Sequence, residues 1–506
     1  MQAVSRAHER GALAIVLHTH MPYVEGFGTW PFGEEWLWEA MAGCYLPLLD
    51  LLDAGAPLTL SLTPVLCDQL EAPGIAERFE AFLGEVRRST HEEDAAGLRA
   101  GGHEQLAREV ERSWGDYATA LESLERRGRD LLGAFSSHAQ WTSSATHAVL
   151  PLLATDAGLR LQVQSGVDAH RRRFGGWRGG FWLPECAYAT WIERALEDAG
   201  ASAACVELTG RFGLGADEHL HPLQSESGVV LVPIDRATIS LVWSDDGYPA
   251  SGVYRDYHHH TVHHHNPWDN SGAPYDHAAA LGQARAHAAD FVARTIARLR
   301  DADDRRRAGS GRPGEGLVVC AVDTELLGHW WYEGLEWLRA VVEECSSQGL
   351  ELLRLDDALE RAEPAPMPRR AGGRGGLGTV SGASAGAGEG HAGPQAPSSW
   401  GRDGDLSTWS GPAVSEMAFA ARAAELGVLA AGSSAGAAAV RHLLALQASD
   451  WPFMISRGLT VPYALERFEG HRRGLAGALA PGEDVGATGL RNLAPHADPA
   501  SLLAPV

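Results

Sequence analysis

The sequence predicts an α/β fold built on a parallel sheet, and three observations carry that expectation. Short apolar runs recur, among them ALAIVLH, LTLSL and LVVCAVD, each too brief for most helices and apolar enough to be buried on both faces. Segments with helical spacing separate them, which is the strand–helix alternation of parallel sheets. Two of the runs close on a carboxylate, LVVCAVD on Asp323 and FWLPE on Glu185, at the strand ends where α/β folds place their chemistry.

In chain order, Ala12 to Val24 is a strand ending in His-Thr-His-Met-Pro, so His18 and His20 fall on one side of an extended chain. Glu39 to Asp53 is helical by its apolar spacing, and Leu58 to Pro64 is the second strand. Residues 68–137 hold only helical patterns and read as an insertion into a main domain made of 1–67 and 138–362. Gln140 to Leu153 returns to the core, with Thr146 and His147 near a strand end. A helix, the strand before Glu185, the helix WIERALEDAG and the strand SAACVEL follow. After the strand at Val229, the turn formers Ser-Asp-Asp-Gly-Tyr-Pro place Tyr248 at a loop tip. The run His258 to His265 has no cysteine or carboxylate at metal-binding spacing and reads as a solvated loop. Residues 363–399 are rich in Gly, Ala, Ser and Pro, the composition of a flexible linker. A helical domain is expected over 400–480, with a frayed tail at 481–506.

Bulk properties exclude several classes. With 42 basic and 65 acidic residues the net charge is −23, which repels phosphate backbones and argues against nucleic acid. No apolar run approaches the ~18 residues of a membrane span, and the N-terminal apolar segment runs into His18 and His20 with no small-residue cleavage site. Six scattered cysteines without a CxxC pair point to reduced thiols in a cytoplasm. Neutral polymers remain as ligands, and a monomer or weak homo-oligomer is expected.

The chemistry is read from two stretches of the same form. In DTELLGHWWYEG, Asp323 is followed by Glu325, His329, Trp330 and Trp331; in FWLPECAYATW, Glu185 is followed by Tyr188 and Trp191. Alone, either fits a capped strand with core aromatics. Together, two carboxylates at strand ends, each flanked by flat apolar rings, form the constellation of a glycosidase or transglycosidase.

The pieces VLHTHMPYV with GTWPFGEEW, then FWLPECAY, VWSDDGYP, DTELLGHWWYEG, and SSWG with SDWPFMIS and YALERFEGH stand in one order from Leu13 to His471. This series resembles glycoside hydrolase family 57, and within it the 1,4-α-glucan branching enzymes. The resemblance implies a distorted (β/α)7 barrel with a helical insertion and a C-terminal all-helical domain, acting on α-glucan by a retaining mechanism without metal or cofactor. It implies Glu185 as nucleophile and Asp323 as acid/base. His18, Trp30, Tyr248, Trp331, Trp400, Trp409 and Asp450 are expected to contact substrate, with Tyr248 at the tip of a loop that shields the reaction from water. An α-amylase-like hydrolase or 4-α-glucanotransferase of the same fold, and a glucan-binding protein without activity, are the other readings. The sequence departs from the family pattern in the short His-rich segment after Tyr257 and in GYPASG where GYPG is usual.

Overall fold

The computed structural model describes residues 11–28, 33–309, 315–367, 396–480 and 490–503. Among these, one sheet contains β1 (Ala12–Thr19), β2 (Thr59–Leu62), β3 (Ala139–Ser143), β4 (Gly180–Trp182), β5 (Ala203–Val206), β6 (Leu223–Gln224), β7 (Val230–Pro233), β8 (Leu317–Asp323), β9 (Glu351–Leu352) and β10 (Ala365–Pro366). Seven of them run parallel in the order β7-β5-β4-β3-β2-β1-β8. The Asp235 N–H, just past β7, donates to the Val319 carbonyl of β8 at 2.9 Å, which draws the two ends of the row together. The result is a distorted (β/α)7 barrel, as expected. β6 adds antiparallel to β7, and β9 pairs with the start of β1.

β1 is buried along all eight residues, which is why its sequence is continuously apolar rather than alternating. Its register sets the site: His18 lies opposite Ser61 on β2 and opposite Asp323 on β8, and Ser143 on β3 lies opposite Trp182 on β4. The C-terminal strand ends therefore come out at nearly one level.

Between β2 and β3 the chain makes only helices, including Arg88–Ala100 and Glu104–Arg126. Arg87 ties this block to the barrel. It is buried, donating to Glu39 at 2.5 Å, to Glu35 at 3.1 Å and to the His263 carbonyl at 2.9 Å. Replacing it by Leu strands the half-buried Glu39 charge, so Arg87→Leu is expected to cost about 3 kcal/mol of stability, read from the denaturant midpoint.

The histidine run differs from the solvated loop expected. His258, His259 and His260 are exposed, but Asp94 accepts from His263 at 2.8 Å and from His265 at 2.7 Å, and His265 is buried beneath the insertion. A carboxylate 169 and 171 residues away in sequence supplied the partner that spacing within the run could not show.

The helices Ser415–Ala431, Ala437–Leu446, Asp450–Ser456 and Val461–Leu479 pack around Val428, Leu443, Trp451 and Phe468. Glu425 docks them, accepting from Thr155 Oγ1 at 2.6 Å and from the Ala154 N–H at 3.0 Å. Of the linker expected over 363–399, residues 368–395 lie outside the described residues. The described part of the tail is not frayed. Leu490 and Leu493 are buried beside Tyr23 and Val65, and Asn492 bonds Glu25 and Asp68. All six cysteines are buried free thiols. No helix among the described residues is long and apolar enough to cross a membrane.

Candidate active site

Glu185 sits in the turn Pro184–Cys186 directly after β4, with φ at 62° and Cys186 at 47°. Non-glycine residues held in this left-handed region cost roughly 1–3 kcal/mol each and concentrate at functional sites. The turn is pinned by the Trp400 N–H, which donates to the Glu185 carbonyl at 3.0 Å, and by the Cys186 N–H to Leu183 at 2.8 Å. The Glu185 carboxylate is buried and well supplied with donors. The Trp400 indole N–H donates to Oε2 at 2.7 Å and His147 Nδ1 stands 3.8 Å from Oε1, while the Ser449 hydroxyl, held by His147, lies where it favours the Glu185 anion. Burial pushes its ionisation up to about 7, against the opposing pull of the Trp400 and Ser449 hydrogen bonds.

Asp323 ends β8 and is half-buried. No donor among the described residues bonds its carboxylate. Burial, then the charges of Glu325, Glu185 and Asp450, hold it well above the usual carboxylate range. The strand register sets Asp323 beside His18, at the strand-end level where the charges of Glu185, Glu325 and Asp450 are felt.

Glu325 accepts from the Tyr45 hydroxyl at 2.6 Å and the His20 N–H at 3.1 Å, and burial raises it to about 7. Tyr45 closes a π-helical turn, Met41–Tyr45, a local irregularity frequent at functional sites. His20 bonds Asp450 at 2.9 Å. Burial would lower its ionisation, but Asp450, Glu325 and Glu185 outweigh that and raise it above the ordinary histidine value. Its surroundings thus favour the protonated form.

The structure brings Glu185, Asp323, Trp400 and Asp450 together. Four other expectations are corrected. His18 is wholly buried, stacked on Trp182 at 4.5 Å and on His147 at 4.9 Å, with its ring nitrogens on Ser61 and His147, so it lies beneath the site with both nitrogens engaged. Trp331 is 2% exposed and packs on Tyr254 and Trp337, whereas its neighbour Trp330 is 40% exposed. The turn after Asp323 decides which indole faces out, because Trp331 returns its N–H to Leu326 at 2.8 Å. Trp409 is equally buried, packed with Val149 and Ala187 against Trp400. Tyr248 is not presented at a loop tip; its ring stacks on His287 at 4.5 Å and its hydroxyl donates to Asp290 at 2.7 Å on the helix His277–Arg307. Trp30 lies outside the described residues.

The exposed ring of that loop is Trp243, which extends an aromatic row that sequence reasoning missed: Trp182 to Trp400 at 5.3 Å, Trp400 to Trp243 at 6.2 Å, Trp243 to Trp330 at 5.9 Å. Tryptophans in four separate motifs gave no signal that they would meet. His20, His147 and Asp450 offer atoms within 4.8 Å of one another, a grouping of the size that holds a cation. Their bonds are already spoken for within the protein: His20 to Asp450 and Thr63, His147 to His18 and Ser449.

A parallel barrel with two acidic strand ends, one rich in donors and one without, is the frame of a glycoside-cleaving enzyme. The comparisons make the class specific. The family model described as glycosyl hydrolase family 57 matches residues 119–369, and one described as 1,4-alpha-glucan branching enzyme, C-terminal, matches 414–478. A 1,4-alpha-glucan branching enzyme of Thermococcus kodakarensis is 31% identical, over 92% of this chain and 72% of that protein. The chain belongs to glycosyl hydrolase family 57. Among solved structures, the family 57-type branching enzyme of Pyrococcus horikoshii superposes with a TM-score of 0.83 at 27% identity, covering 98% of this chain and 97% of that one. The alpha-amylase AmyC of Thermotoga maritima shares the fold, with a TM-score of 0.74 at 22% identity over 98% of this chain and 100% of that one.

Proposed function

We propose that this protein is a 1,4-α-glucan branching enzyme in which Glu185 is the nucleophile and Asp323 the acid/base. The observation that carries the assignment of roles is the unequal sharing of donors. Glu185 has an indole N–H and a hydroxyl that favour its anion, while Asp323 has none and faces three carboxyls that favour its acid form. Glu185 attacks the anomeric carbon as Asp323 gives its proton to the departing glycosidic oxygen. Asp323, now charged, takes the proton of an acceptor 6-hydroxyl, whose oxygen displaces Glu185 and closes an α-1,6 bond. Asp450, whose Oδ1 is taken by His20, is left with Oδ2 for a sugar hydroxyl beside the reacting carbon, and Trp400, Trp243 and Trp330 offer faces along which an extended glucan lies.

The names of the relatives and the match to the branching-enzyme C-terminal region support transfer to a 6-hydroxyl over hydrolysis. The buried free thiols suit a cytoplasmic role in glycogen formation, on a neutral glucan and without nucleic acid. Incubation with amylose followed by enzymatic debranching tests the reading: new α-1,6 linkages are expected, and shorter linear chains alone would assign a hydrolase or 4-α-glucanotransferase instead.

The aromatic row gives a paired prediction. Trp330→Ala is expected to raise KM for long glucans several-fold, through the loss of about 1 kcal/mol of sugar stacking, and to leave the melting temperature unchanged. Trp331→Ala is expected to destabilise the fold by about 3–5 kcal/mol. Reversal of the two outcomes in kinetics and thermal melting would move the glucan path off Trp330.

A further inference from the structure

We infer that Ser61, His18, His147 and Ser449 form a one-directional hydrogen-bond relay that ends on Glu185 and positions it for attack, so that the C-terminal helices complete the nucleophile. The inference rests on Glu185 being that nucleophile. His18 Nδ1 lies 3.4 Å from Ser61 Oγ, the two Nε2 atoms of His18 and His147 face each other at 2.9 Å, and His147 Nδ1 is 2.8 Å from Ser449 Oγ. All four side chains are buried.

Proton bookkeeping sets the direction. Burial and neighbouring histidines hold both His18 and His147 far below the ordinary imidazole value, so each ring is neutral and carries one N–H. Two facing nitrogens that bond each other need one proton between them. If His147 supplied it, its bare Nδ1 lone pair would face the Glu185 carboxylate at 3.8 Å, and the Ser449 proton would be consumed on that ring. If His18 supplies it, every group is satisfied: Ser61 O–H to His18, His18 Nε2–H to His147, His147 Nδ1–H to Ser449, and the Ser449 O–H free for Glu185.

The backbone is arranged to hold this line. Ala148 and Ala448 form an antiparallel bridge, the Ser449 N–H donates to the His147 carbonyl at 3.1 Å, and His147 itself takes a left-handed φ of 59°.

The test measures Ser449→Ala, Ser449→Thr and His147→Asn on amylose; asparagine accepts the left-handed backbone. The groups facing Glu185 besides the relay are Trp400, His20, Asp450 and Asp323. Loss of the Ser449 donor is expected to lower kcat on the order of 10–100-fold, as for other groups that orient a reacting residue, with KM little changed. The acidic limb of the pH profile should move upward, Ser449→Thr should recover most of the rate, and His147→Asn should shift the limb the same way. An unmoved limb and an undiminished kcat in Ser449→Ala, with Glu185 still labelled by a trapped glucosyl group, would overturn the relay alone; a label on another residue would remove the nucleophile reading and the relay with it.

Discussion

Glu185→Gln is expected to abolish chain transfer and hydrolysis together, by on the order of 10⁴-fold or more. The amide keeps the shape of the side chain, so the fold and the affinity for glucan should persist. What it loses is the nucleophile, and with it both half-reactions, because formation and breakdown of the glycosyl-enzyme pass through the same oxygen. The carboxylate's surroundings explain why no neighbour substitutes. The surroundings of Asp323 favour its acid form, Asp450 is committed to His20, and Glu325 is committed to Tyr45. Initial rates on amylose with both reducing-end and branch-linkage readouts check this; loss of branching with hydrolysis retained would assign Glu185 to acceptor binding instead.

Asp323→Asn is the second large effect, a fall of about 10²–10⁴-fold on natural glucan, where the departing sugar hydroxyl must be protonated. With an activated donor such as a glucosyl fluoride, whose leaving group needs no proton, glycosyl-enzyme formation should survive. The pH profile supplies the sign. Glu185 must be ionised, so activity rises as pH climbs through about 7; Asp323 must be protonated, so activity falls once pH passes its raised ionisation. The apparent values belong to the coupled pair. In Asp323→Asn the alkaline limb should disappear and the acidic limb remain. An alkaline limb that persists would give the acid role to another group, Glu325 first.

What was legible in the sequence follows from which signals are local. β8 begins and ends where LVVCAVD does, because a strand buried on both faces writes its boundaries in hydrophobicity. The strand-end positions of Glu185 and Asp323 were legible for the same reason: each closes such a run. His18 and His20 do share one side, with rings 6.0 Å apart, but alternation alone does not say which lies beneath the strand end and which stands above it. Only the inner one is sealed by Trp182, and that is a cross-strand fact. Trp330 and Trp331 are adjacent, so their exchange of roles depends on a single turn. His147 and Ser449 stand 302 residues apart, and no spacing rule reaches that far. Glu325 was visible in the D-x-E triplet, but its tie to Tyr45 and its charge on Asp323 required the folded geometry.

The most direct test of the account is to trap the intermediate. Reaction with a fluorinated glucosyl fluoride that forms the glycosyl-enzyme faster than it turns over, followed by proteolysis and peptide mass spectrometry, should place one glucosyl group on Glu185, and Asp323→Asn should still accept it. A label on any other carboxylate, or an active enzyme that never carries a label, would contradict the pairing of Glu185 and Asp323 on one sugar.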